Sequence, residues 1–394
     1  MGHLSACYVD DLLIASRNPQ SIINELTAAP HKFKLKGTGP VSFHLGCDFF
    51  RDEDGTLCVG PRRYIERLAD QYKSMFGEMP STRVTSPLEK GDHPELDTSQ
   101  LLDDEEVTKY QSLIGALQWT ITLGRFDIAV AVMTMSSFSA APRMGHMERV
   151  RRIAGYLLKM KHGFIRIRTA EPDFSDLPLN EHDWSHTIYG DVHEELPSDA
   201  PEPLGKPVTT ASYKDANLGH DFVTGRSVTG ILHFVNQTPF DWFAKKQATV
   251  ETATYGSEFV SGKTATQQII GHRTMLRYLG VPVRGPTRLF GDNGSVVTSS
   301  TIPHSPLKKC HHALGYHCIR EAIAAKIVDM HCIPSELNPS DILSKHWGYS
   351  QVWPILRAIL FWRGDTSELL NEEQSKTTDQ TKDGGTSGTQ TQES

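Results

Sequence analysis

Residues 213–216 read Tyr213-Lys214-Asp215-Ala216 and close a predicted strand, Val208–Lys214. Two more apolar segments, Gly230–Asn236 and Phe240–Lys245, follow at short spacing, so we expect three consecutive strands joined as hairpins. Beyond them the hydrophobic period changes and helices alternate with strands. The predicted elements are a helix Thr254–Leu279, a strand Arg288–Phe290, a helix Leu307–Lys326, a strand Ile327–Ile333 and a closing helix from Pro339. This order predicts a mixed sheet flanked by helices, of α+β or α/β class.

Four acidic residues of this region stand at the ends of predicted elements. Asp215 ends the first strand, Glu258 lies in the first turns of the long helix, Asp292 ends the fourth strand and Asp341 begins the last helix. Each also has an ordinary structural explanation, because acids are common in turns and favour the N-terminus of a helix. Taken singly, each position favours that explanation.

A second acidic feature lies near the start of the chain. Tyr8-Val9-Asp10-Asp11 is followed at once by Leu12-Leu13-Ile14, which predicts a β-hairpin with two carboxylates at its tip. Adjacent carboxylates repel and do not pack, so an acidic turn is one explanation and a Mg²⁺ site is the other.

The composition is typical of a globular protein, with 394 residues, 38% of them hydrophobic and 22% charged. That length predicts two or three domains. The sequence has neither an apolar run of about 18 residues nor a signal peptide, so we expect an intracellular protein, cytoplasmic or nuclear. The six scattered cysteines predict free thiols.

The first half of the chain predicts strands and then helices. We expect strands at Lys32–Lys36 and Val41–Phe50, and a helix over residues 61–80. Helices should return from Glu105 to about Lys161, where Val150, Ile153, Ala154, Leu157 and Leu158 form one apolar stripe.

Charge is unevenly distributed, although the net charge is −7. Residues 143–168 hold eight Lys or Arg and one acid, whereas residues 171–207 hold ten acids and one Lys. The basic residues form either a solvated helix face or a surface that grips nucleic acid.

Several separated motifs resemble the end of a copia-type LTR retrotransposon Pol polyprotein. They are Phe33 to Phe50, the Tyr110-to-His162 helical block, Trp242-Phe243-Ala244-Lys245-Lys246-Gln247 and Ser340-Asp341-Ile342-Leu343-Ser344-Lys345. The resemblance covers roughly residues 5–365. It implies the following division: a partial reverse transcriptase palm (1–80), a linker and thumb-like helical segment (81–170), an acidic linker (171–207), a ribonuclease H-like domain (208–365) and a disordered tail (366–394).

The resemblance also implies a function. The ribonuclease H family uses an Asp-Glu-Asp-Asp set, carried here by Asp215, Glu258, Asp292 and Asp341. These acids would be catalytic and would hold two Mg²⁺ ions, with Mn²⁺ able to substitute, for endonucleolytic cleavage of RNA in an RNA–DNA hybrid. Asp10 and Asp11 would be palm metal ligands. The expected nucleic-acid contacts are Arg149, Arg151, Arg152, Lys159, Lys161, Lys245 and Lys246. The expected partners are a hybrid or other nucleic acid and other parts of the polyprotein, without a membrane.

One departure from the family pattern qualifies these expectations. Only seven residues precede the Tyr-Val-Asp-Asp motif, so we expect no autonomous DNA polymerase activity. The rival hypothesis is a catalytically inactive nucleic-acid-binding remnant. A zinc site at Cys310-His311-His312, His317-Cys318 and His331-Cys332 is disfavoured, because most of these residues fall in a predicted helix rather than around a loop.

Overall fold

The computed structural model describes residues 4–190, 192–196, 198–307 and 312–362. The tail predicted to be disordered, 366–394, lies outside the described residues, as do Cys310 and His311. Among the helices that are described, none combines the length and the apolar character that crossing a lipid bilayer requires.

The N-terminal residues form small, exposed elements. Strands β1 (Leu4–Tyr8) and β2 (Asp11–Ala15) form the predicted hairpin, and helix α1 (Pro19–Thr27) follows. The strand predicted at Lys32–Lys36 is wrong, because this largely exposed segment is coil without a paired neighbour in any described sheet. Every described residue from 4 to 57 is exposed or half-buried.

The single strand predicted at Val41–Phe50 is also wrong. It is split into β3 (Phe43–His44) and β4 (Cys47–Arg51), which pair as an antiparallel hairpin. The chain reverses at Leu45 and Gly46, whose φ angles of 49° and 93° lie in the left-handed region. Such a turn suits glycine, and periodicity does not report it.

A helical segment follows, and most of its predicted apolar stripe is buried. A four-stranded sheet in the order β3-β4-β5-β6 borders it. The sheet is completed by β5 (Leu57–Gly60) and β6 (Ile165–Arg166). The helices are α2 (Arg62–Phe76), α3 (Asp104–Thr122), α4 (Ala129–Ser136) and α5 (Met144–Lys159), with short 3-10 helices at Pro94–Leu96 and Phe126–Ile128. On α5 the stripe residues Val150, Ile153, Ala154 and Leu157 are buried, and Leu158 lies at the margin.

A buried ion pair lies in the core of this segment. Arg125 and Asp127 are both fully buried and joined by two hydrogen bonds of 2.9 and 2.7 Å. The Tyr156 hydroxyl donates to the same Asp127 carboxylate at 2.8 Å, and Arg125 also donates to the Met160 carbonyl. The charges are therefore satisfied, as burial requires.

The predicted mixed sheet is present in the second half. It has five strands, β7 (Thr210–Asn217), β8 (Val228–Val235), β9 (Thr238–Lys246), β10 (Thr287–Gly291) and β11 (Val328–Cys332), in the order β11-β10-β7-β8-β9. The three strands β7, β8 and β9 are antiparallel, whereas β10 runs parallel to both β7 and β11. Strand β7 continues two residues beyond Asp215, because pairing with β8 extends to Asn217.

Helices cover both faces of this sheet. Two of them, α6 (Thr254–Tyr278) and α8 (Ala313–Ala324), bury a core with Ile231 and Leu289, while α7 (Gly294–Thr301) follows β10. The opposite face, with Leu232, shares one core with the helical segment and with α9 (Tyr349–Ile359). The closing helix predicted from Pro339 is wrong: residues Pro339–Leu343 form a separate 3-10 helix before α9.

The acidic segment 171–207 packs against the five-stranded sheet and its helices. Trp184 and Tyr189 are buried in the core that contains α6 and α8. Glu194 accepts hydrogen bonds from Arg273 and Arg277 of α6 at 2.6–2.7 Å, which lowers the pKa of its carboxyl to about 2 although burial alone would raise it. Glu194 of this segment therefore pairs with two cations of α6.

Candidate metal centre

Asp215 and Asp292 are brought together by parallel strand pairing. Asp215 lies near the C-terminal end of β7, and Asp292 directly follows β10. Because these neighbouring strands are parallel, their carboxyl ends meet at one edge of the sheet. Asp215 is 1% exposed, whereas Asp292 is half-buried and accepts a hydrogen bond from the Ser335 hydroxyl at 2.7 Å.

Glu258 reaches the same edge from α6. It is 2% exposed, and its Oε1 accepts a hydrogen bond from the Ala216 backbone N–H at 3.1 Å. One carboxylate oxygen each from Asp215, Glu258 and Asp292 lies within 4.8 Å of the other two. Three of the four predicted acids therefore form one cluster.

Asp341 is positioned by the 3-10 helix Pro339–Leu343, whose backbone lies close to strand β8. Gly230 pairs with Asp215, and a Cβ there would lie 2.7 Å from both the Ser340 carbonyl oxygen and the Leu343 backbone. Glycine thus lets the 3-10 helix Pro339–Leu343 lie directly on the strands. Asn338 fixes its start by donating to the Lys214 carbonyl at 3.0 Å.

Lys345 connects Asp341 to the cluster. Its Nζ lies 2.9 Å from Asp341 Oδ1 and 3.2 Å from Asp215 Oδ2. The Ser344 hydroxyl also donates to Asp215 Oδ2. Asp341 therefore adjoins the three clustered acids through a shared cation, outside the group whose oxygens lie mutually within 4.8 Å.

A second lysine is built into the site. Lys214 is fully buried and its Nζ lies 2.6 Å from Glu258 Oε2. The lysine stem passes over Gly291, where a Cβ would lie 2.6 Å from Lys214 Cε. An internal ammonium thus neutralises one of the four carboxylates, and it competes with any metal ion for Glu258.

The acids repel one another in this buried setting. Burial, and then the charge of Asp215, raises the pKa of Asp341 to about 7, although Lys345 opposes this. Burial likewise raises the pKa of Glu258, with Lys214 opposing and Asp215 adding to the rise. These directions indicate negative charge that the two lysines compensate only in part, as is common at functional sites.

Asp10 and Asp11 lie elsewhere. They stand at the tip of the β1–β2 hairpin and are exposed. Within the described ranges, neither belongs to a group of three metal-ligating side chains.

The seven predicted nucleic-acid contacts are mostly engaged within the chain. Arg149 pairs with Asp92 and Asp97, and Arg152 pairs with Glu89. The remaining observed contacts are Lys161 with Glu66, Lys246 with Asp221 and the Arg151 guanidinium over the Phe76 ring, while Lys245 is exposed. The ion pairs of Arg149 and Arg152 attach the segment between α2 and α3 to α5, and a groove of about 520 Å³ beside them is lined by both charge signs.

The histidines of the disfavoured zinc site have separate partners in the described part of the chain. His312 lies 3.3 Å from Glu251, His317 contacts Tyr189, and His331 bonds to Asp329 at 2.6 Å. In the part of the chain that the structure covers, these histidines join no group of three metal-ligating side chains.

Sequence comparison identifies relatives of this chain. No protein-family model matches it. It is 24% identical over 340 residues to the retrovirus-related Pol polyprotein from transposon RE1 of Arabidopsis thaliana, covering 86% of this chain and 20% of the relative. It is 23% identical over 339 residues to that from transposon TNT 1-94 of Nicotiana tabacum (86% and 23%), and 28% identical over 215 residues to a putative transposon Ty5-1 protein of Saccharomyces cerevisiae (53% and 65%).

The homologues are therefore Pol polyproteins of copia-type transposons, which confirms the resemblance read from the motifs. The chain spans about a fifth of the length of the RE1 and TNT 1-94 polyproteins.

Solved structures of ribonucleases H resemble part of the chain. An N-terminal RNase H domain from Mycobacterium tuberculosis is 12% identical and covers 38% of this chain and 97% of its own, with a TM-score of 0.28. LC11-RNase H1, solved with an RNA/DNA hybrid, is 14% identical and covers 34% and 94%, also with a TM-score of 0.28.

Sequence reasoning missed the two lysines and the glycine that shape the site. A lysine beside a strand end is normally solvent-exposed, so nothing in the local sequence places Lys214 in the interior. Gly230 lies in a strand, where an isolated glycine is a signal for close backbone approach. The glycine at position 230 could therefore have indicated this close approach from the sequence.

Proposed function

We propose that this chain acts as a retroelement ribonuclease H that hydrolyses the RNA strand of an RNA–DNA hybrid. The observation that carries the proposal is the convergence of Asp215, Glu258 and Asp292 at the carboxyl edge of the sheet, with Asp341 adjoining through Lys345. The homology to transposon Pol polyproteins supports it.

The donor set fits divalent magnesium. All the clustered donors are carboxylate oxygens, the ligands that Mg²⁺ and Mn²⁺ prefer. Asp215, Glu258, Asp292 and Asp341 are the residues that would hold one or two ions. Bound Mg²⁺ would make a water more acidic and offset charge on the leaving 3′-oxygen. In the reaction, the water oxygen bonds to phosphorus as the bond to the 3′-oxygen breaks, and a proton passes to that oxygen.

The chain's own groups prepare this step. The buried carboxylates of Asp215 and Glu258 are oriented by hydrogen bonds from the Ser344 hydroxyl and the Ala216 N–H. Burial and the charge of Asp215 raise the pKa of Asp341 to about 7 in the metal-free chain, and a bound dication would lower it. Lys345 orients the Asp341 and Asp215 carboxylates relative to each other.

We propose that the hybrid is held through its phosphate backbone. Lys245 is exposed on β9, and Lys246 beside it is tied to Asp221 at 2.7 Å. Since Arg149, Arg152 and Lys161 are paired internally, few cations are left for phosphates, and we expect a shallow dependence of log K on log salt. A steep slope of log K against log salt, which reports the release of many counterions, would show that these ion pairs open when the hybrid binds.

A non-catalytic nucleic-acid-binding role is the second candidate. The Lys214–Glu258 ion pair favours it specifically, because a buried ammonium holds the carboxylate that a metal ion needs. Catalysis requires the metal to displace Lys214 from Glu258, or to bind through the other three acids.

The deciding experiment is cleavage of a labelled RNA–DNA hybrid by the purified chain in Mg²⁺ and in Mn²⁺. Asp292→Asn is the test variant, and Asp54→Asn, an acid of the first half with an exposed side chain, is the matched control. Cleavage that Asp292→Asn abolishes and Asp54→Asn retains supports the ribonuclease. Hybrid binding without cleavage, from protein with a cooperative unfolding transition, favours the binding role.

A further inference from the structure

A second group of metal-ligating side chains lies deeper along the same sheet, away from the acids. It comprises His233 on β8, Asp241 on β9 and His272 on α6. One donor atom from each lies within 4.8 Å of the other two. His233 and Asp241 are cross-strand partners, and His272 is fourteen residues beyond Glu258, roughly 20 Å along the helix at 1.5 Å per residue. The group is therefore separate from the carboxylate cluster.

The His233 ring is held in place before any ion binds. It is 1% exposed, and its Nδ1 lies 2.7 Å from the Ser212 hydroxyl. Its Nε2 lies 3.0 Å from Gln268 Oε1, an amide oxygen directed at the same space. A histidine whose one ring nitrogen is hydrogen-bonded to a fixed partner presents the other in a defined direction, as metal-binding histidines do.

His272 has a nitrogen without a hydrogen-bond partner. Its Nε2 lies 2.8 Å from Asp241 Oδ2, which leaves Nδ1 for another contact. In the described part of the chain this Nδ1 is buried and has no hydrogen-bond partner. A buried polar atom left without a partner is unfavourable for the fold, so a ligand that reaches His272 would be favoured.

A small void adjoins two of the three residues, and the outer side of the group is accessible. The void, of about 10 Å³, lies beside His233 and His272 and is lined also by Ser212, Phe240 and Arg273. That is close to the space that one water-sized sphere occupies. The Asp241 side chain is 45% exposed and that of His272 is 19% exposed, so the outer side of the group is open to solvent.

We propose that His233, Asp241 and His272 form a transition-metal site, occupied by a dication such as Zn²⁺. Two imidazoles and one carboxylate are a set that zinc binds well, whereas Mg²⁺ prefers oxygen ligands alone. Small side-chain rotations bring the donors to the roughly 2.0–2.1 Å bond lengths of such a site. Gln268 or a water supplies the fourth ligand. The ion joins β8, β9 and α6, so its role is to stabilise the fold, and the site is independent of the proposed nuclease activity.

The test is titration of the full chain with Co²⁺ alone, which reports nitrogen ligation through visible absorption, followed by competition with Zn²⁺. We expect one tight equivalent of Co²⁺, displaced by Zn²⁺, and a higher melting temperature with Zn²⁺. His272→Gln and Asp241→Asn should each lose the absorption. Ser212→Ala should weaken Co²⁺ binding about 10–100-fold by releasing the His233 ring.

Two controls make the outcome decisive. His186→Gln removes an exposed histidine outside the group, and Asp292→Asn alters the acid cluster; both should keep the absorption. Absorption that survives both His272→Gln and Asp241→Asn overturns the proposal, as does its absence from wild-type protein with a cooperative unfolding transition. Because Asp241 is half-exposed, its variant tests the site even where a substitution at His272 disturbs folding.

Discussion

Two regions of the molecule each present a pair of aspartates. Asp10 and Asp11 lie on an exposed hairpin, whereas Asp215 and Asp292 lie at the edge of the five-stranded sheet. The hairpin acids are exposed, on strands without a buried residue. The sheet-edge acids belong to a cluster with Glu258, and they are held by Ser344 and Ser335. A carboxylate becomes a strong metal ligand when neighbouring acids share its ion and packing fixes its position. The two regions therefore differ in the neighbouring acids and in the packing that fixes each carboxylate, although the residue type is the same.

The largest effect should come from Lys214→Met, which removes the internal cation of the buried region. Without metal, the free energy of unfolding should fall by about 3–5 kcal/mol, because Glu258 is left buried and unpaired. Mg²⁺ should recover most of this loss, and its affinity should rise at least about tenfold, since a unit charge at about 4 Å is worth about 4 kcal/mol at a dielectric of 20. Urea unfolding with EDTA or Mg²⁺ measures both quantities.

Lys245→Met is the matched control, because that lysine is exposed on β9, two strands away in the same sheet. Equal stability losses in EDTA and Mg²⁺, with unchanged Mg²⁺ affinity, would show that Lys214 does not compete with metal.

The next effect is a pH dependence of the free energy of unfolding that arises at Asp341, beside the sheet-edge acids. The folded pKa of Asp341 is raised from 3.8 to about 7, so the folded state binds this proton more tightly than the unfolded state. The contribution of Asp341 to stability should therefore fall as pH rises from about 4 to 7, by about 2–4 kcal/mol at roughly 1.4 kcal/mol per unit. The difference in unfolding free energy between wild type and Asp341→Asn, measured from pH 4 to 8 in EDTA, isolates this term. A flat difference contradicts it.

A smaller effect should follow from Gly230→Ala. The added methyl group would press on Ser340 and Leu343, which displaces the 3-10 helix that carries Asp341. We expect a loss of about 1–3 kcal/mol in the free energy of unfolding and weaker Mg²⁺ binding. Gly271→Ala is the control, since a Cβ there meets nothing within 4 Å and helix propensity should stabilise it by about 0.5–1 kcal/mol. Thermal unfolding and Mg²⁺ titration of both variants would show whether the close approach matters.

The smallest effect belongs to the hairpin. Replacing both Asp10 and Asp11 by Asn should change the free energy of unfolding by no more than about 0.5 kcal/mol, as is usual for exposed positions. Mg²⁺ affinity should also stay unchanged in calorimetric titration. A clear loss of affinity would mean that the hairpin contributes to a metal site after all.

Much of the local structure could be predicted where a segment has one strong period. The stripe of α5 and the strands β7, β8 and β9 follow from spacing, because burial of one face demands that spacing. The coil at Lys32–Lys36 has the same alternation as a strand, yet it lacks a partner to pair with. Strand formation depends on the neighbouring strand, which local sequence does not specify.

The sequence by itself determined the three antiparallel strands β7, β8 and β9, the long helix after them, the four acids and the resemblance to transposon Pol polyproteins. Only the tertiary structure decided which acids meet, because parallel pairing of β7 and β10 joins residues far apart in the chain. It also decided that Lys214 faces inward to Glu258, that segment 171–207 packs on α6, and that His233, Asp241 and His272 adjoin. These outcomes depend on long-range packing, in which a side chain's partners come from distant elements, and local periodicity carries no record of them.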